Sequence, residues 1–172
     1  TIPLPAAVPG DELVAAYPRV AAVQEIVTKA VAYADEIGSQ KVGSVSADVT
    51  TAFSGGTVTD GVYTGGKGGD RSEASTMGTV VGNALRDSLS TLPDAPDFGV
   101  VNPGGLRADL VPGENGAVTY RAVANVQPFG NTLVTLELTA AQLKAVLEEQ
   151  WQPADSSRPK LALGVSEGFS FE

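Results

Sequence analysis

The chain has 172 residues, 42% apolar and 18% charged, enough for one well-packed domain. It contains neither histidine nor cysteine, which removes most of the side chains that activate nucleophiles or bind transition metals and leaves carboxylates, Lys, Tyr and hydroxyls. A formal charge of −9 excludes nucleic-acid backbones and anionic membranes as nonspecific partners, although a local basic cluster can still hold a small anion, and no apolar run approaches the length of a membrane span.

"TIPLPAAVPG" holds three prolines and no periodicity, so residues 1–10 read as an extended linker leading in from something upstream. A start at Thr1 with no signal peptide fits a processed product or an excised piece. From Pro18, the residues Val20, Val23, Ile26, Val27, Ala30, Val31 and Ala34 recur at helical spacing up to a stop at Gly38. This predicts a long amphipathic helix packed on a core. "KVGSVSADVTTAFSGGTVTDGVYTGGKGGD" mixes β-branched runs with many glycines and predicts one or two strands around a long irregular loop. Within it, Gly61 to Gly68 nearly spells the phosphate-binding pattern G-x-x-x-x-G-K-[ST]. Gly68 stands where the metal-binding hydroxyl belongs, and no helix pattern begins after Lys67. A flexible surface loop is the better reading.

Met77, Val80, Val81, Ala84, Leu85 and Leu89 fall on one face of a helix spanning Ser75 to Leu89. Arg71, Ser72 and Glu73 stand at its start, where free N–H groups and the helix dipole favour anions and an arginine can clamp a phosphate. A solvated loop arginine fits the same residues. "DFGVV" predicts a buried strand running into "NPGGLRADL", where Pro103, Gly104 and Gly105 force a tight turn ahead of Arg107 and let a ligand approach the backbone. "VTYRAVANVQPFGNTLVTLEL" predicts a short strand, a brief helical turn, a Pro-Phe-Gly-Asn corner and a strand alternating Leu133, Thr135 and Glu137 with Val134, Leu136 and Leu138. Thr139 to Gln142 is a capping box opening a helix with Leu143, Val146 and Leu147 on its buried face. After the polar turn "QPADSSRP", "KLALGVS" predicts a final strand.

Interleaved helices and strands place the fold in the α/β (α+β) class, with mixed sheets and packed helices. Gly164 to Gly168 spells G-x-S-x-G, the form of a hydrolase nucleophile elbow around Ser166. An elbow serine needs a base, almost always histidine, and a following helix. The chain has no histidine and only four residues after Gly168, so Ser166 reads as a strand-end residue.

Three segments in order, "RSEASTMGTVVGNALRDSL", "VNPGGLRADL" and "VANVQPFGNTLVTLELTAAQLKAVLEEQW", resemble the C-terminal domain of the bacterial and animal 5′-nucleotidases. There an arginine precedes a "LGNLIADAL"-like helix, "NGGGIR" forms a turn, and "PFGNTLV…ELTG" follows. The resemblance runs from about Ala21 to Glu172 and makes residues 11–172 a substrate-binding domain that is incomplete at its C-terminus.

The resemblance implies a two-domain phosphoesterase that removes phosphate from nucleotides. Its N-terminal metallophosphatase domain would hold two divalent metal ions that activate a water; no D-x-H or G-N-H-E stretch for such a centre occurs in this chain. The C-terminal domain would grip the nucleotide and deliver it to the metals. By position, Arg71 and Arg107 would contact phosphate, Asn102 would hydrogen-bond the base, Gly104 and Gly105 would keep the turn open, and Phe129 would stack on the base. Pro103 replaces the first glycine of the turn and stiffens it. Taken alone, Phe129 reads as a core residue; with the resemblance it reads as a stacking platform. The second aromatic of the family pocket, on a "GGDGF"-like loop, would lie beyond the last residue of this chain, so Phe169 and Phe171 are not promoted to that role.

These readings together predict the nucleotide-recognition domain of a secreted 5′-nucleotidase-like hydrolase. It would be inactive alone, partnered by its own N-terminal domain and a nucleotide, and extracellular, periplasmic or cell-wall associated. The alternative is a non-catalytic surface binding or interaction module with the same fold.

Overall fold

A computed structural model describes residues 9–59, 62–64 and 67–171, and the chain divides into two compact units, one ending at Gln40 and one beginning at Lys41. Most of the linker expected at residues 1–10 lies outside the described residues.

The first unit contains α1 (Gly10–Ala16) and α2 (Pro18–Gly38), separated at Tyr17. Pro18 sits at the start of α2, where its missing N–H costs nothing and its fixed φ suits the helix. The predicted long helix is therefore present, but its burial is not. Gly38 is the one buried residue of α2, and Val23, Ile26 and Val31 are all more than half exposed. Helical periodicity places apolar side chains on one face without specifying what covers that face.

In the second unit, β1 (Lys41–Ser44) opens the chain, followed by β2 (Ala52–Ser54), β3 (Thr57–Thr59), β4 (Val62–Thr64) and β5 (Lys67–Asp70). The region expected to hold one or two strands around a long irregular loop is two nested antiparallel hairpins, β3 with β4 inside β2 with β5. Gly55 and Gly56 adopt positive φ of 71° and 82° at the step between β2 and β3, a backbone available to glycine at little cost. Lys67 stands at the start of a strand rather than before a helix, which removes the P-loop reading on structural grounds as well.

After the hairpins come α3 (Thr76–Asp87), β6 (Val100–Val101), a 3₁₀ turn at Pro103–Gly105, and another at Glu114–Gly116. The remainder is β7 (Ala117–Thr119), α4 (Tyr120–Val126), α5 (Ala140–Glu148) and β8 (Gly164–Val165). β1 pairs with β7 and β6 with β8, so all four strand pairs are antiparallel. The α/β mixture expected from the sequence is present in its α+β form.

The core of this unit gathers Met77 and Val81 of α3 with Val101, Leu106, Leu110, Val118 and Val126. The glycines of α3's buried face are as informative as its apolar side chains. Gly78 and Gly82, one turn apart, let the helix backbone rest directly on β8. A Cβ on Gly78 would lie 2.9 Å from the Gly164 Cα, and one on Gly82 would lie 2.7 Å from the Ser166 N. Ser75 caps the helix by accepting from the Gly78 N–H at 3.0 Å.

Two predicted features change. Residues 131–139 join no strand, and Leu133, Val134, Leu136 and Leu138 are exposed. Alternation marks a strand only when a neighbouring strand supplies the ladder, and none is paired there among the described residues. The capping box at Thr139 and Gln142 forms with both of its hydrogen bonds. The helix it opens nevertheless leaves Val146 exposed and Leu143 and Leu147 half-buried.

Candidate functional site

Arg71 and Arg107, 36 positions apart, line one cavity of about 190 Å³ together with Thr51, Asp70, Glu73 and Ser75. Each arginine is held by its backbone. At Arg71, the Ser72 N–H and hydroxyl both donate to Asp70 Oδ1, at 2.8 and 2.6 Å, closing a local turn around the residue. The Arg71 carbonyl accepts from the Ala162 N–H at 2.8 Å, which ties the turn to the segment leading into β8. These hydrogen bonds from Ser72 lower the pKa of Asp70 by stabilising its charged form.

Arg107 follows the 3₁₀ turn at Pro103–Gly105. Asn102 opens that turn by accepting from the Gly104 N–H through Oδ1 at 2.9 Å, and the buried Pro103 fills the first helical position. Beyond it, the Arg107 N–H donates to the Val126 carbonyl at 2.8 Å at the end of α4. Val49 and Leu110 exchange backbone hydrogen bonds of 3.0 and 2.8 Å, and Asp109 Oδ1 accepts from both the N–H and the hydroxyl of Thr51. One anchor thus holds the arginine loop to the end of α4, and two hold it against the segment that leads into β2.

Both guanidiniums approach Gly104. Arg107 Nη1 lies 3.5 Å from the Gly104 carbonyl oxygen, and a Cβ on Gly104 would stand 3.7 Å from Arg71 Nη1. Neither arginine makes an ion pair among the described residues. Two guanidiniums thus share one cavity with the carboxylates of Asp70 and Glu73, without an ion pair to either among the described residues.

The helix start beside them contributes less than its sequence suggests. The Met77 N–H donates to the Thr50 carbonyl at 2.9 Å and the Gly78 N–H to Ser75 Oγ, so these first-turn donors are already used.

Asn102 and Gly104 adjoin the cavity through the turn, which the Asn102 side-chain oxygen caps. Gly105 faces inward, where a Cβ would lie 3.4 Å from Gln127 Nε2. Phe129 is 49% exposed on its corner, two residues past Gln127 at the end of α4. Neither Asn102 nor Phe129 lines the cavity. Thr51 lines it without having been singled out in the sequence; nothing in its local pattern marks it, because it reaches the site only through its pairing with Asp109.

Ser166 is 1% exposed. Its hydroxyl accepts from the Gly99 N–H at 3.0 Å and its own N–H donates to the Gly99 carbonyl at 2.9 Å. This is a structural serine at the end of β8. No group of three metal-binding side chains occurs among the described residues, and the sequence has no histidine or cysteine.

The sequence profile of the 5′-nucleotidase C-terminal domain matches residues 44–172. The chain belongs to this family. It is similar to parts of longer proteins. A probable 5′-nucleotidase of Treponema pallidum is 30% identical over 138 residues, covering 80% of this chain and 22% of that protein. A trifunctional nucleotide phosphoesterase protein of Bacillus subtilis is 37% identical over 84 residues, 47% of this chain and 6% of that protein. A cell wall protein of Listeria monocytogenes is 35% identical over 81 residues, 45% and 10% of the two chains. The chain thus spans less than a quarter of the length of each. No solved structure matches it.

Proposed function

We propose that this chain is the nucleotide-recognition domain of a 5′-nucleotidase-like hydrolase. The observation that carries the reading is the convergence of Arg71 and Arg107, both without ion pairs among the described residues, on one cavity of a chain with net charge −9. The phosphate of the nucleotide sits between the two guanidiniums. Gly104, lacking a side chain, leaves its approach open. The Asn102 amide hydrogen-bonds the base and Phe129 stacks on it.

Charge-assisted hydrogen bonds contribute about 1.5–3 kcal/mol each. Two of them with one aromatic face correspond to weak, roughly millimolar to micromolar, binding. Hydrolysis belongs to an N-terminal metallophosphatase domain carrying two divalent metal ions, and this chain alone binds without cleaving. Family membership and the nucleotide-acting names of two relatives support this assignment. The cell-wall relative supports a location outside the cytoplasm, in the periplasm, at the cell wall or in the medium. No helix among the described residues is long and apolar enough to cross a membrane.

Titrating the chain with AMP while following backbone amide NMR shifts tests the reading. Shifts are expected around Arg71, Arg107 and Phe129, with no release of phosphate. An unchanged spectrum at millimolar AMP overturns it.

A further inference from the structure

A second groove, of about 470 Å³, shares Gly69, Asp70 and Arg71 with the arginine cavity and continues past them to Ser72, Arg158 and Lys160. Three of the chain's 11 Lys and Arg residues therefore line it, against one carboxylate, Asp70. That is a local excess of two positive charges in a chain of net charge −9.

The backbone sets these cations in place. The turn at 152–159 is closed by the Gln152 N–H donating to the Pro159 carbonyl at 2.8 Å and by an antiparallel bridge between Trp151 and Lys160. Two residues later, the Ala162 N–H binds the Arg71 carbonyl, so the strand bearing Lys160 is fastened to the residue shared by both cavities.

Their charges are only partly spent. Arg158 makes no ion pair among the described residues, and Lys160 reaches Glu73 at 3.5 Å and stands 5.9 Å from the centre of the Trp151 ring. Asp70 already accepts two hydrogen bonds from Ser72 through one oxygen. Arg71 belongs to both cavities, with Arg107 lining the first and Lys160 and Arg158 lining the second. The arrangement suits an anion with phosphates linked in series better than a single phosphate, because successive groups meet successive cations.

We propose that this groove is a subsite for condensed phosphate, and that it takes the second phosphate of a nucleotide carrying more than one. The placement of the first phosphate rests on the nucleotide reading above; the groove's preference for linked phosphates does not.

Binding of AMP, ADP and inorganic pyrophosphate to the 172-residue chain at fixed ionic strength tests it. ADP is expected to bind roughly tenfold more tightly than AMP, the effect of one added charge-assisted hydrogen bond. The double variant Arg158→Gln/Lys160→Gln is expected to bring ADP to the AMP affinity while leaving AMP unchanged, with an amide spectrum that still shows the folded chain. Pyrophosphate alone is expected to shift the Arg158 and Leu161 amides, and orthophosphate to do so much more weakly. Equal affinities for AMP and ADP, or an ADP advantage that survives in the double variant, overturn the proposal. If AMP and ADP both fail to bind, the nucleotide reading falls, and the groove is then judged on pyrophosphate: shifts at Arg158 and Leu161 sustain it as a condensed-phosphate site, and their absence removes it.

Discussion

The Gly82 carbonyl oxygen occupies the space in which a Cβ on Gly99 would stand. Helix α3 and the segment entering β6 therefore meet backbone to backbone, and the same helix meets β8 through Gly78 and Gly164. A side chain at any of these positions pushes against main-chain atoms, which cannot rotate away. Gly82→Ala should destabilise the second unit by at least about 1–3 kcal/mol. Urea denaturation of wild type and variant measures it, and a change below about 0.5 kcal/mol would show that the contact relaxes freely.

Ser166→Ala separates a structural serine from a nucleophile. The variant leaves the Gly99 N–H buried without its hydroxyl partner, a loss of about 1–3 kcal/mol. The same urea experiment is expected to show this loss. Hydrolysis of an activated ester should be absent from both proteins, and an activity present only in wild type would reinstate the nucleophile.

Arg107→Ala and Arg71→Ala should each weaken AMP binding by roughly tenfold or more, since each removes a charge-assisted contact of about 1.5–3 kcal/mol. Calorimetric or NMR titration gives the ratio. Phe129→Ala should weaken AMP binding by about 1–3 kcal/mol, the loss of one stacked base, with little effect on pyrophosphate. A Phe129 variant that binds AMP normally would return that ring to an ordinary exposed position.

Asp70 supplies a pH test. The hydroxyl and N–H of Ser72 hold its carboxyl below the ordinary range. A folded pKa below the unfolded value of about 3.9 stabilises the fold at pH above that value. The contribution fades as pH falls below about 3.9 and is gone once the folded group is protonated. Ser72→Ala should raise the Asp70 pKa in a carboxyl ¹³C titration and shrink the loss of stability between neutral pH and pH about 3. An unmoved Asp70 titration would mean that the hydroxyl is not what holds the proton off.

Helix α5 tests local capping. Thr139→Ala removes the side chain that accepts from the Gln142 N–H and should cost about 1 kcal/mol of local helix stability. Faster amide exchange in residues 140–143 than in wild type reads this directly.

Several elements were legible in the sequence because their causes are local. Helix α3 follows from the spacing of Met77 and Val81 and from Ser75 at its cap, and α5 from the reciprocal pair Thr139 and Gln142. The missing histidine disposed of Ser166 as a nucleophile before any coordinates, and the ordered motifs around Arg71, Asn102, Arg107 and Phe129 led to the family that the profile then matched. What the chain could not state locally is what meets what. Val20 to Ala34 and Leu133 to Leu138 carry sound helical and alternating patterns, yet their large apolar side chains are exposed among the described residues, because periodicity sets direction and a neighbour sets burial. The glycine-rich stretch looked irregular since glycines hide the alternation that its paired threonines and valines carry. Only the tertiary structure brought Arg71 beside Arg107, and Lys160 beside Arg71, because backbone hydrogen bonds between distant segments place those charges, and no single segment contains both partners.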